Sequence, residues 1–96
     1  MTFGEAVEAL KQGKLVAREG WNGKGMFVFR QVPADIGADI IPKMQSLPDA
    51  AKAEFAKRGG SIHYSNQLAL VKPDNSINGW APSTADSLAD DWQLFE

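Results

Sequence analysis

The residues best suited to chemistry lie where tryptophan meets glycine. In Gly20-Trp21-Asn22-Gly23-Lys24-Gly25 an indole is set among three glycines, which leaves backbone amides uncovered for a ligand and offers a large flat ring to stack on it. Asn78-Gly79-Trp80-Ala81-Pro82-Ser83 repeats the device, each Trp following a glycine beside an asparagine. Together the two rings read as a clamp for a flat, polar ligand, and stacking on a nucleobase is worth about 1–3 kcal/mol per base. The competing role for Trp21 and Trp80 is to close the core at a sheet end. Trp92, in an apolar terminal segment, reads as core.

Polar side chains surround the two rings in sequence. Asn22, Asn75, Asn78, Ser83 and Thr84 can bond ribose hydroxyls or base edges, although asparagine and serine are equally at home in turns and helix caps. Amides opening a short helix after Pro82 can receive an anion, unless the Asp86 carboxylate already caps them. Arg18 and Lys24 flank the first loop and can pair with a pyrophosphate, bidentately in the case of arginine. Arg30, in a segment rich in Val and Phe, is expected to point to solvent or to a partner subunit.

Catalytic readings fare worse. His63 is the single histidine and there is no cysteine, so one imidazole and scattered carboxylates make no zinc site. His63 and a serine nucleophile are present as residue types without a motif joining them. Asp86, Asp90 and Asp91 are closely spaced enough to hold a hard cation, but a solvated helix end accounts for them more simply. The glycine loop also lacks phosphate-loop spacing. The expectation is therefore a binding protein, with no catalytic residue, metal or cofactor.

Composition sets the frame. Ninety-six residues fit one small domain, spanning 1–96, which gains from oligomerisation because it buries a modest share of its surface. Apolar residues make up 44% and charged residues 23%, ordinary values for a folded chain. A net charge of −2 with no basic clustering argues against a nucleic-acid polymer as partner. No apolar run reaches membrane-spanning length and the start lacks a signal-peptide pattern. The chain reads as soluble and intracellular, with no membrane partner.

The elements that must position these residues follow from periodicity and caps. Thr2-Phe3-Gly4-Glu5 is a capping box opening a helix whose apolar face is Phe3, Val7 and Leu10, stopped at Gly13. Leu15 to Ala17 and Met26 to Val32 read as neighbouring antiparallel strands joined by the glycine loop. Pro33 to Pro42 follows no regular pattern, with Ile36, Ile40 and Ile41 expected to pin it. Pro48 to Arg58 suits a second helix with a thin apolar face around Phe55. Ser61 to Lys72 alternates as one half-buried strand, with Ile62, Tyr64, Leu68 and Leu70 on its apolar side. Pro73 to Ser76 is a turn, Ser76 to Trp80 pairs back across it, Ser83 to Asp86 is a second capping box, and Trp92 to Phe95 closes the sheet. The fold class is α+β: a twisted antiparallel sheet of about five strands, an N-terminal helix, and a second helix in an insertion.

Several of these segments together resemble a known family. Thr2-Phe3-Gly4-Glu5-Ala6, Ala9-Leu10, Gly13-Lys14, Val16-Ala17-Arg18, Gly20 to Met26, Trp80-Ala81-Pro82-Ser83, Asp86, Leu88-Ala89 and Asp91-Trp92 are similar, from end to end, to the second type of Thoeris anti-defence protein of phages. The resemblance implies a sponge that binds glycocyclic ADP-ribose from TIR-domain enzymes and holds it uncleaved, in the cytoplasm of the infected bacterium. It also implies a homotetramer with pockets between subunits, and in some relatives capture of cyclic di- or trinucleotides at a separate site. On that analogy Trp21 and Trp80 stack on the ligand, with Arg18, Asn22, Asn75, Asn78, Ser83, Thr84 and Asp86 as polar contacts. The alternative is a non-enzymatic protein-interaction module with exposed tryptophans.

Overall fold

The computed structural model describes residues 1–21 and 24–96. Asn22 and Gly23 lie outside the described residues. The chain divides into two compact units, one formed by residues 1–31 and 66–96 and the other by residues 32–65.

In the first unit, helix α1 (Phe3–Lys11) opens at Thr2. The Thr2 hydroxyl accepts from the Glu5 amide at 3.2 Å and the Glu5 carboxylate accepts from the Thr2 amide at 2.9 Å, so two otherwise orphaned donors are satisfied reciprocally. Gly13, at φ 85°, turns the chain out of the helix in the left-handed region that glycine tolerates best. Five strands follow in the order β6-β5-β2-β1-β7: β1 (Val16–Arg18), β2 (Phe27–Gln31), β5 (Gln67–Val71), β6 (Ile77–Gly79) and β7 (Trp92–Leu94). All pairings are antiparallel, and the glycine loop joins neighbours β1 and β2. Helix α3 (Thr84–Leu88) precedes β7.

The core forms where α1 lies on this sheet. Ala6 and Leu10 of α1, Val16, Val28 and Trp92 are buried together, and register explains why: Val16 pairs with Val28 and Val28 with Leu70, so these side chains share one face. Phe3, Trp21, Trp80 and Leu68 pack around this centre half-buried.

The second unit holds β3 (Ala34–Ile36) paired with β4 (Ile62–Tyr64), a 3₁₀ turn at Ile41–Lys43, and α2 (Asp49–Arg58). The irregular segment thus contributes a strand that its composition did not announce. Of its isoleucines Ile41 is buried, Ile36 is half-buried and Ile40 is exposed. No α2 residue is fully buried, in keeping with the thin apolar face.

The stretch from Ser61 to Lys72 is two strands in two sheets. Alternation hides the break because Tyr64 and Leu68 are an even number of residues apart, so a period of two runs unbroken through Ser65 and Asn66. Within β5 the most buried side chains are Ala69 and Val71, at 3% and 7% exposure, in place of Leu68 and Leu70. Phe29 and Phe27 stand directly opposite Ala69 and Val71 on β2.

Replacing Leu10 by Ala empties the centre of the helix–sheet core and is expected to lower unfolding free energy by about 2–5 kcal/mol. Leu88→Ala, at a site 81% exposed, is expected to change it by less than about 0.5 kcal/mol. Urea denaturation of both variants checks the pair.

Candidate ligand-binding site

At the end of the sheet, Arg18 closes β1 and Trp92 opens β7 directly opposite it. This register brings three distant segments together. The Arg18 Nε donates to Asp91 Oδ1 at 2.9 Å and its Nη1 to Asp86 Oδ1 at 2.9 Å. The Gly20 amide donates to Asp91 Oδ2 at 2.9 Å, and a Cβ at position 20 would stand 2.9 Å from that same oxygen. A side chain here would displace the Asp91 carboxylate that Arg18 and the Gly20 amide hold, so glycine suits this close approach of backbone to carboxylate.

Asp86 holds Trp21. Its Oδ1, already bonded to Arg18, also accepts from the Trp21 indole Nε1 at 3.3 Å. Its Oδ2 accepts from the Ser83 amide at 3.2 Å, the Ser83 hydroxyl accepts from the Asp86 amide at 3.0 Å, and the Asp86 carbonyl accepts from the Trp92 indole at 2.9 Å. A capping box and an indole clasp thus share one residue. The ion pairs are largely screened from water, with side-chain exposures of 20% for Arg18, 14% for Asp86 and 28% for Asp91, a setting in which charge-assisted hydrogen bonds hold better than at an open surface.

The titration behaviour follows from these contacts. Burial pushes the Asp86 carboxyl up, but hydrogen bonds from Arg18, Ser83 and Trp21 outweigh it and hold it below the usual 3.8. The Arg18 hydrogen bond, against a smaller effect of burial and with help from the Gly20 amide, likewise lowers Asp91. Arg18 is raised in turn by its bonds to Asp91 and Asp86.

The two candidate stacking rings meet, but not as a clamp. Trp21 and Trp80 lie 6.3 Å apart with planes at 74°, and Trp21 meets Trp92 at 5.3 Å and 80°. These are edge-to-face contacts, the arrangement ring quadrupoles favour, and they leave no slot for a third ring between Trp21 and Trp80. Instead Trp21 lines a shallow pocket of about 210 Å³ with Ala17, Arg18, Lys24, Gln93 and Phe95. Trp80 packs on Phe3, Trp21 and Trp92, and its amide donates to the Leu68 carbonyl at 2.9 Å.

Of the sequence candidates, the fold gathers Arg18, Trp21, Trp80, Ser83 and Asp86 into this cluster. Thr84 is the exposed first residue of α3. Asn75 occupies the β5–β6 turn at φ 67°, a left-handed position that asparagine tolerates, and Asn78 lies exposed in β6 opposite Leu70. Asn22 lies outside the described residues. Gln93, Phe95 and the Asp91 contacts with Arg18 and Gly20 were not anticipated. The available signal was the closing strand: once β7 is set beside β1, Gln93 faces Ala17 and Asp91 comes level with the start of the glycine loop. Asp86 and Asp91, weighed above as cation ligands, are turned on a guanidinium instead.

A family model described as a Tad2-like, Thoeris anti-defense 2-like domain matches residues 1–95. The chain belongs to the Thoeris anti-defense 2 family. It is 36% identical over 94 residues to Thoeris anti-defense 2 of Bacillus phage SP01, covering 98% of this chain and 93% of that protein. Membership in this Tad2-like family carries a phage anti-defence role. Both tryptophan motifs and the Arg18–Asp86–Asp91 cluster fall inside the matched residues.

Both carboxyls titrate lower in the folded chain than in the unfolded one. Their contribution to stability is therefore complete above the unfolded value and is lost as pH falls through the folded ones. Denaturation midpoints measured from about pH 6 down to about pH 2 are expected to fall more steeply below about pH 4 for the parent than for Arg18→Met, which lacks the shared cation. Parallel profiles would show that the guanidinium does not set these titrations.

Proposed function

We propose that the chain acts as one ligand-sequestering domain, a sponge that binds a cyclic nucleotide immune signal and holds it uncleaved so that the downstream effector is not activated. Glycocyclic ADP-ribose made by TIR-domain enzymes is the leading ligand, and cyclic di- or trinucleotides at a separate site are a further one. The site of action is the cytoplasm of the infected host. The observation that carries the reading is Trp21, an indole fixed by Asp86 and lining a pocket beside Arg18 and Lys24.

A sponge needs affinity without turnover. Affinity improves when the ring that receives the ligand is already ordered, because less freedom is lost on binding. The Trp21 indole has that property, and a cyclic ligand contributes the same saving from its own side. Arg18 divides its donors between two carboxylates, so this cluster favours positioning over attack on a phosphate, while Lys24 stands exposed at the rim to meet a pyrophosphate. The Ser83 hydroxyl is committed to its cap, which supports a non-enzymatic role. A pocket of about 210 Å³ lies below the 300–1,000 Å³ usual for small-molecule sites. A homotetramer whose pockets are completed between subunits supplies the missing wall in this reading. Asn22, Asn75, Asn78, Ser83 and Thr84 remain its proposed polar contacts.

The test is capture and release. The protein is incubated with glycocyclic ADP-ribose, freed of unbound ligand and heat-denatured, and the supernatant is analysed. Intact ligand supports a sponge, an altered product indicates an enzyme, and no capture favours a protein-interaction module. Trp21→Ala is expected to weaken capture about 5- to 150-fold, the loss of one stacking contact, with the fold retained by circular dichroism. Capture equal to the parent's would remove Trp21 from the site.

A further inference from the structure

Arg30 is not explained by the site above. It lies at the far end of β2 from the glycine loop, directly opposite Leu68 and on the face that carries Val28 and receives α1. After the apolar run Phe27, Val28 and Phe29, a guanidinium on the core side of this strand is costly to bury without partners. Nη1 donates to Asn66 Oδ1 at 3.1 Å. Nε is buried with no hydrogen-bond partner among the described residues, although the large majority of buried side-chain polar atoms have one.

Beside this guanidinium is a cavity of about 280 Å³. Val7, Leu10 and Leu68 form its apolar lining, and Lys11 and Arg30 are its charged residues, with no carboxylate among the lining residues described. Lys11 pairs with Glu8 at 3.4 Å, but both side chains are well exposed, so that pair is weak and readily surrendered. The cavity shares no lining residue with the Trp21 pocket.

A guanidinium with Nη1 taken retains its side-on edge, Nε with Nη2, which matches the two oxygens of a carboxylate. The apolar lining calls for a short hydrocarbon body behind that head group. We propose that this cavity binds a small aliphatic carboxylate. The carboxylate sits on the Nε–Nη2 edge of Arg30 after a small rotation of the guanidinium that uncovers Nε. Lys11 closes over the same oxygens, and the alkyl group rests on Val7, Leu10 and Leu68.

Solution NMR of the whole protein tests this by following the Arg30 Nε–Hε resonance and the Leu10 and Leu68 amides during titration. The probes are 4-methylpentanoate, its neutral analogue 4-methylpentanamide and inorganic phosphate. The expected result is a saturable shift of all three resonances with 4-methylpentanoate, and at least tenfold weaker effects with the amide and with phosphate. Arg30→Gln should abolish saturation. Should that variant fail to fold, Lys11→Gln, at an exposed position, should weaken the acid severalfold. The proposal is overturned if the acid produces no saturable shift, if the amide or phosphate binds as well as the acid, or if the substituted proteins bind it like the parent.

Discussion

The carboxylate of Asp86 is shared among Arg18, the Trp21 indole and the Ser83 amide, while the Asp86 carbonyl holds Trp92. These groups come from β1, the glycine loop, the start of α3 and the start of β7, segments up to about seventy residues apart in sequence. A single buried-leaning anion therefore fixes both the end of the sheet and the pose of the ring read as the ligand's platform. Removing it would leave Arg18 with one partner and the Trp21 indole and Ser83 amide without an acceptor, and polar groups left unpaired away from water are costly.

The aromatic cluster complements that network. Trp92 is buried at its centre, and Phe3, Trp21 and Trp80 lean on it at ring-centroid distances of 5.3–6.0 Å. Trp21 thus has its polar edge on Asp86, its neighbours in the core and a remaining flank on the pocket. The two roles set against each other for Trp21, core closure and the proposed stacking on a ligand, are therefore compatible in space.

The helices, the capping boxes at Thr2 and Ser83, the turn at Asn75 and the pairing of β1 with β2 were legible because each rests on local chemistry: a hydroxyl three residues before an acid, a left-handed turn residue, a period of two or of three to four. Non-local partners were not. Nothing near Ile62 indicates that it pairs with Ile36, and parity disguised the break between β4 and β5. The fold brings Arg18, Trp21 and Asp86 together, but residue types alone gave no sign of their hydrogen-bonding to one another. Arg18 and Asp86 were read as contacts for a ligand, and each is already committed to the other. The family match extends over residues 1–95 and so includes every one of these groups.

The central claim is that Trp21, already held in position by Asp86, receives the ring of a nucleotide signal. A crystal structure of the protein with glycocyclic ADP-ribose tests it most directly. The adenine ring is expected against the open flank of Trp21, with the Trp21–Asp86 hydrogen bond intact and the indole unmoved. A ligand seated away from Trp21, or a Trp21 that swings free of Asp86 to reach it, would contradict it.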